Sequence, residues 1–164
     1  MKPTRRKVLK GLAATAVLST VSSCVATSAS SASRVVVVGG GFAGLTAART
    51  LKSLDASIEV TLVEPKKQYV ACPFSNLVVA GERAIASQTF SYDKAIAQGI
   101  VHLPLAAKII DPVLRQVQFE NHPALTYDRL ILAPGISLHY EALEGYSEQA
   151  SVRMPHAWQA GEQT

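Results

Sequence analysis

A run of valines followed directly by a glycine-rich turn restricts the fold of this chain more than any other feature. The segment Arg34–Val38 has four β-branched residues in a row, and the next six residues are Gly39-Gly40-Gly41-Phe42-Ala43-Gly44. Consecutive valines without polar alternation are typical of a strand buried on both faces of a parallel sheet. Apolar side chains then recur at helical spacing, at Leu45, Ala48 and Leu51. With a second strand-like run at residues 58–63, the pattern predicts a βαβ unit.

The spacing of Gly39, Gly41 and Gly44 fits G-x-G-x-x-G, in which each glycine has a different task. The first permits a tight turn, the second lets the main chain approach a pyrophosphate, and the third lets the helix pack closely on the sheet. Glu64 ends the second predicted strand about 20 residues later, where an acid can accept hydrogen bonds from ribose hydroxyls. We therefore predict a dinucleotide site. A glycine turn of purely structural use is the alternative.

The order of the later elements bears on which dinucleotide is bound, because the fingerprint itself does not distinguish FAD from NAD. A free-standing NAD domain would continue to alternate strands and helices. Here a loop and a short apolar helix at 76–80 precede a polar helix at 92–98 and a strand at 99–103. Further β-like runs are separated by turn signals and lie at residues 105–110, 115–119 and 129–132. A β-meander in this place is typical of the two-dinucleotide flavoprotein fold.

The tripeptide Ala133-Pro134-Gly135 ends the last of these runs. In the two-dinucleotide flavoprotein fold, such a strand returns to the FAD domain and passes near the cofactor. A small residue and a glycine suit that position, because backbone there lies close to the ligand. An ordinary strand ending in a turn is the alternative. We predict an α/β fold: a Rossmann-like FAD-binding βαβ unit with a β-meander, representing the N-terminal part of the two-domain flavoprotein.

Several stretches resemble the family of flavin subunits of flavocytochrome c sulfide dehydrogenase, within the FAD-dependent pyridine nucleotide-disulfide oxidoreductase superfamily. They lie at residues 36–41, 59–65, 69–76, 133–136 and 155–164. The resemblance implies FAD as cofactor, a small inorganic sulfur compound such as sulfide as substrate, and a c-type cytochrome subunit as partner. A flavoprotein like sulfide:quinone oxidoreductase and a non-catalytic nucleotide-binding remnant remain as alternatives.

The motif and the resemblance together indicate the residues that contact the cofactor. They are Gly39, Gly40, Gly41, Phe42, Ala43, Gly44, Glu64, Pro65, Lys66, Cys72, Ala107, Ala133, Pro134 and Gly135. In the family, the cysteine of the Cys-Pro-Phe-Ser-Asn-like stretch is joined by a thioether to the flavin 8α carbon, so the resemblance implies covalent FAD at Cys72. A small buried thiol without a chemical role is the alternative.

Some expected parts of the family have no counterpart in these 164 residues. They include the pair of redox cysteines, the second glycine fingerprint and the later strand whose acidic residue holds the ribityl chain. We therefore assign no catalytic residue and expect a truncated FAD/NAD(P)-binding domain over residues 34–164 without turnover of its own. The histidines His102, His122 and His139 have no partner at metal-ligand spacing, so we predict no metal. We expect Trp158 to be a packing residue.

Residues 1–33 have the three-part layout of an export signal. Arg5-Arg6 precede a short apolar stretch and a Ser/Ala-rich run, which resembles a twin-arginine signal and predicts a periplasmic protein. The apolar stretch is too short for a membrane span. Cys24 lies in a lipobox-like sequence, so a lipid anchor at Cys24 and simple cleavage after Ser30 or Ser33 both remain open.

The pI of 9.2 is a property of this N-terminal segment. The first acidic residue is Asp55, and from Arg34 onward the chain has 11 basic and 12 acidic side chains, a net charge of −1. The folded part therefore offers no basic surface of the kind that binds a phosphate backbone, and we expect no nucleic-acid partner.

Overall fold

The computed structural model describes residues 32–154 together with residues 156 and 158. The expected signal lies almost entirely outside the described residues, with Cys24, and so does most of the 155–164 motif. The strands are β1 (Arg34–Val38), β2 (Glu59–Val63), β3 (Gln68–Val70), β4 (Thr89–Ser91), β5 (Val101–Leu103), β6 (Ile109–Asp111), β7 (Gln116–Gln118), β8 (Leu125–Thr126) and β9 (Arg129–Leu132). The helices are α1 (Phe42–Leu54), α2 (Ser75–Val79), α3 (Asp93–Ile96) and α4 (Glu148–Ser151), and short 3-10 turns lie at Ile85–Gln88 and Tyr140–Ala142.

A parallel sheet with the strand order β5-β2-β1-β9 forms the centre of the described fold. Its middle strand β1 is buried on both faces, as the valine run predicts, with Val36 and Val37 at most 1% exposed. One face of the sheet packs against α1, in a core cluster that includes the fully buried Ala48. The opposite face packs against side chains of the meander region, among them Val117 and Phe119. The predicted α/β Rossmann-like fold is confirmed.

The predicted meander is present as an antiparallel sheet with the order β6-β7-β8. Its first strand is shorter than the β-like run at 105–110, because only Ile109–Asp111 pairs with β7. A second small sheet was not predicted: β3 and β4 pair antiparallel, with Tyr69 opposite Phe90. Each of these strands has three residues, and the chain between them forms α2 and a 3-10 turn. No local periodicity of side chains can identify such a pair.

An ion pair joins the beginnings of β1 and β9. The Arg34 main-chain N–H donates to Asp128 Oδ2 at 2.8 Å, and its guanidinium Nη2 donates to Oδ1 at 3.2 Å. These hydrogen bonds hold the pKa of the Asp128 carboxyl below its usual value. The pair is exposed and its net contribution is screened by solvent. Its geometric effect is to fix the register of β9, which carries Ala133 to the end of β1.

Candidate dinucleotide site

The glycines of the loop between β1 and α1 serve two different purposes. Gly39 has a φ of +101°, and a Cβ there would collide with the carbonyl oxygen of Ala133. A Cβ on Gly44 would collide with the carbonyl oxygen of Gly39. These two positions therefore require glycine because of neighbouring backbone in the folded chain.

Gly41 is different, because the protein itself leaves room for a Cβ there. Its φ of −72° and ψ of −167° are extended values open to any residue. A Cβ would lie 3.6 Å from Tyr69 Cε2, which is an ordinary van der Waals contact. The chain thus has a glycine where its own packing does not demand one. This is the position at which the fingerprint needs space for a pyrophosphate, so the loop fits a dinucleotide.

The N-terminus of α1 is also free to receive an anion. Within the described residues, no side chain caps this end, and its first turn contains no acidic residue. The amides of a first helical turn lack partners inside the helix and carry the positive end of the helix dipole. A pyrophosphate lying over Gly41 would satisfy them.

Glu64 lies beside this loop and is fixed by two main-chain amides. The Gly40 N–H donates to Oε2 at 2.8 Å, and the Lys66 N–H donates to Oε1 at 3.0 Å. An ionised carboxylate has about four lone-pair sites, so it retains acceptors for ribose hydroxyls. Lys66 takes part through its main chain, while the side chains of Pro65 and Lys66 are exposed.

Tyr92 and His102, which the sequence did not identify as part of the site, hold the glycine loop and the Glu64 main chain through hydrogen bonds. The buried Tyr92 hydroxyl donates to the Gly40 carbonyl oxygen at 3.1 Å. Its ring lies 4.6 Å from that of His102, whose Nε2 is 2.9 Å from the Glu64 carbonyl oxygen and donates to it. Burial is the main reason that the pKa of Tyr92 lies far above its usual value, and the charge of Glu64 raises it further. The phenol therefore keeps its proton and remains a donor.

Tyr69 connects the glycine loop with the segment that contains Cys72. Its ring meets that of Phe42 edge-on, with the centroids 5.3 Å apart. Burial raises the pKa of Tyr69, and the charge of Cys72 raises it further, while the Phe42 main-chain amide opposes the shift. Sequence alone gives no signal for Tyr92, and it includes Tyr69 only as the first residue of the 69–76 stretch, because both act through contacts with distant residues.

Cys72 opens a tight turn between β3 and α2. The Ser75 N–H donates to the Cys72 carbonyl oxygen at 3.1 Å, with Pro73 and Phe74 at the two central positions. Phe74 has a φ of +70°, which with proline before it corresponds to a type II turn. A non-glycine residue in this conformation is strained. The Cys72 thiol is free and half-buried.

Ala133 and Pro134 approach the same loop from the end of β9, and Gly135 follows them in the chain. The Ala133 N–H donates to the Val38 carbonyl oxygen at 2.8 Å, and the Ala133 carbonyl lies against Gly39. The structure thus brings together the glycines, Glu64 and Ala133 at the carboxyl edge of the sheet, where α/β folds bind ligands. Ala107 lies between β5 and β6 and packs against the meander-side core cluster. Its contact with a cofactor stays a prediction.

A groove of about 610 Å³ begins at Gly41 and Phe42 and follows the exposed side of α1 toward Ser53 and Gln98. Neither Glu64 nor Cys72 lines it. Because a dinucleotide bound by the fingerprint must reach the acid after β2, we do not assign the cofactor to this groove. In the part of the chain that the structure describes, no group of three or more His, Cys, Asp or Glu side chains could hold a metal ion. None of the described helices is long and apolar enough to cross a bilayer.

Comparison with known proteins identifies the family. The model of the pyridine nucleotide-disulphide oxidoreductases matches residues 33–161. The chain belongs to this family. Over 45 residues, 27% of this chain and 94% of the relative's sequence, it is 67% identical to a sulfide dehydrogenase [flavocytochrome c] flavoprotein chain from Chlorobaculum thiosulfatiphilum. It is 29% identical to the mitochondrial sulfide:quinone oxidoreductase of Mus musculus over 114 residues, 70% of this chain and 25% of that protein.

The solved structures agree with this family assignment. The crystal structure of the sulfide:quinone oxidoreductase from Aquifex aeolicus superposes with a TM-score of 0.64 and 25% identity, over 66% of this chain and 26% of that one. The chain therefore spans about a quarter of the length of the sulfide:quinone oxidoreductases it matches. The sequence resemblance to this oxidoreductase superfamily is confirmed.

Proposed function

We propose that this chain is the FAD-binding part of a sulfide-oxidising flavoprotein that transfers electrons to a c-type cytochrome subunit. The observation that carries the proposal is the 67% identity over 45 residues to a flavocytochrome c flavoprotein chain. The open space at Gly41 and the uncapped N-terminus of α1 support binding of the FAD pyrophosphate.

Each part of the site has a role in holding FAD. The α1 amides bind the pyrophosphate, and Glu64 accepts hydrogen bonds from a ribose. Tyr92 and His102 keep the Gly40 peptide and the Glu64 main chain in place. Bound FAD would supply the capacity to accept two electrons from a sulfur substrate. The chain's own residues bind and orient the cofactor, and none of them is assigned to the sulfur chemistry.

Cys72 is the residue through which FAD would become covalent. A bond would form between Cys72 Sγ and the flavin 8α carbon, while the S–H and one C–H bond break. The two electrons from this step would reduce the flavin ring, and the two protons would leave to solvent or the ring. The position of this free, half-buried cysteine at the opening of a tight turn supports this role. A thioether would also keep the cofactor bound after export, when free FAD is dilute.

A quinone-reducing enzyme is the second candidate, because both the mouse relative and the Aquifex structure are sulfide:quinone oxidoreductases. We favour the cytochrome-linked enzyme because the Cys72 context and the twin-arginine-like signal both accord with it. We also propose that these 164 residues do not turn over sulfide by themselves, since the chain spans only a quarter of its sulfide:quinone oxidoreductase relatives.

The test is the fate of the flavin when the protein is denatured in acid. In protein expressed from the complete gene, we expect the flavin to stay with the polypeptide. Cys72→Ser should release roughly nine-tenths or more of the flavin, since no other thiol lies in the loop. Absorbance of the precipitate and the mass of the Cys72 peptide measure this. Thr89→Val is the control, because it removes a hydrogen bond from the turn before β4 without changing a residue of the 71–75 segment, and it should leave the flavin attached. Release from the unsubstituted protein would favour the quinone-reducing candidate.

We further propose export to the periplasm with loss of about 33 N-terminal residues. Mass spectrometry of protein from the periplasmic fraction should find a mature N-terminus between Cys24 and Arg34. A lipidated Cys24 would identify a lipoprotein, and an intact Met1 on exported protein would contradict the proposal.

A further inference from the structure

Gln88 is a fully buried polar residue next to the segment that contains Cys72. It ends the 3-10 turn Ile85–Gln88, directly before β4, and is 2% exposed. Its side-chain Nε2 donates to the Ala71 carbonyl oxygen at 3.0 Å and to Ser75 Oγ at 3.2 Å. Its main-chain oxygen accepts from the Ala71 N–H at 2.9 Å. One residue thus makes three hydrogen bonds to residues 71–75.

These bonds hold both ends of the Cys72 turn. Ala71 precedes Cys72 and Ser75 closes the turn, and both are buried, at 7% and 1% exposure. Between them, Phe74 keeps a positive φ that an L side chain rarely adopts. Such a conformation persists only where the surroundings impose it. Gln88 bonds the chain on both sides of Phe74, while Arg83 lies over the Phe74 ring, 4.8 Å from its centroid.

The side-chain oxygen of Gln88, Oε1, argues against a role in packing alone. Among the described residues, nothing donates to its Oε1, although that oxygen is buried. A buried acceptor without a partner is unfavourable, and an apolar side chain of the same length would avoid this cost. The donor group is therefore the useful part of this side chain.

We propose that Gln88 is a positioning residue that fixes the Cys72 turn so that the thiol is presented for flavin attachment. The attachment itself rests on the proposed function. The control of the turn by Gln88 does not, because it follows from contacts within this chain.

The experiment measures Cys72 in two independent ways. In flavin-free protein, Gln88→Met should raise the rate at which iodoacetamide alkylates Cys72 by about tenfold, read from the Cys72 peptide by mass spectrometry, because the turn opens more often. In flavin-loaded protein from the complete gene, the covalent fraction of the flavin should fall by roughly half or more, while total flavin is retained by the glycine loop and Glu64. A general loss of structure would instead reduce total flavin and covalent flavin together.

Thr89→Val is the matched control. It removes the hydrogen bond from Thr89 Oγ1 to the Ile85 carbonyl oxygen in the same turn, 3.0 Å long, without touching residues 71–75. Both readings should stay at the level of the unsubstituted protein. Ser75→Ala, which removes one of the two side-chain bonds, should give a smaller acceleration and serves if Gln88→Met does not fold.

The outcomes separate the two proposals. Unchanged alkylation of Cys72 in both Gln88→Met and Ser75→Ala would overturn the role of Gln88, and so would equal changes in Thr89→Val. An unchanged covalent fraction despite faster alkylation would also count against it. If the unsubstituted protein carries no covalent flavin but Gln88→Met still accelerates alkylation, the thioether is wrong and the control of the turn by Gln88 stands.

Discussion

Replacing Gly39 by alanine is expected to lower the free energy of unfolding by about 4 kcal/mol, from backbone strain and overpacking together. The φ of +101° is unfavourable for any L side chain, and the new Cβ would also collide with the Ala133 carbonyl. Either β9 must move away from the loop or the turn after β1 must change. Urea unfolding followed by circular dichroism measures the loss. Against a total stability of about 5–15 kcal/mol for a typical domain, this is a large share of the free energy of unfolding.

Gly135→Ala is the matched control for Gly39→Ala. Its φ of +82° is equally unusual, but no atom lies within 4 Å of the added Cβ. Only the unfavourable backbone conformation contributes, so we expect the free energy of unfolding to fall by about 1–2 kcal/mol. Equal losses for the two variants would mean that the Ala133 carbonyl does not lie against Gly39.

Gly41→Val is expected to weaken dinucleotide binding strongly while leaving the fold nearly intact. The dihedral angles are open to any residue, and the 3.6 Å distance to Tyr69 Cε2 shows that the folded chain has room for a Cβ there. A pyrophosphate would lose at least one charge-assisted hydrogen bond, so affinity should fall by about 100-fold. The change in unfolding free energy should stay within about 1 kcal/mol. Titration of FAD fluorescence and urea unfolding measure the two quantities.

Thr50→Val, on the exposed side of α1, controls for the introduction of valine into this region. It adds no volume near the loop and should leave FAD affinity unchanged. If Gly41→Val retained the affinity of the unsubstituted protein, the pyrophosphate would have to bind elsewhere. The groove along α1 would then become the first alternative.

The local part of the site can be predicted from sequence because its constraints are steric and short in range. The valines of β1, the glycines and the acid after β2 follow one another within about thirty residues, as a dinucleotide fingerprint does. The Tyr92 and Gln88 hydrogen bonds are different. Tyr92 reaches Gly40 across 52 positions, and Gln88 reaches Ser75 across 13, without a repeating pattern that marks either residue. His102 shows the same limit, since its role depends on the hydrogen bond to the Glu64 carbonyl oxygen, 38 positions away.

The pairing of β9 with β1 has a consequence for the order of folding. The contact between Gly40 and Glu64 spans 24 positions, whereas the Arg34–Asp128 contact spans 94. Closing the longer loop costs about 1 kcal/mol more in chain entropy, and distant contacts slow folding. During synthesis, β1, α1 and β2 leave the ribosome well before β9 exists. Until β9 pairs with β1, the Gly39 turn therefore lacks its contact with the Ala133 carbonyl. A cofactor that binds before this pairing meets a loop without its final conformation.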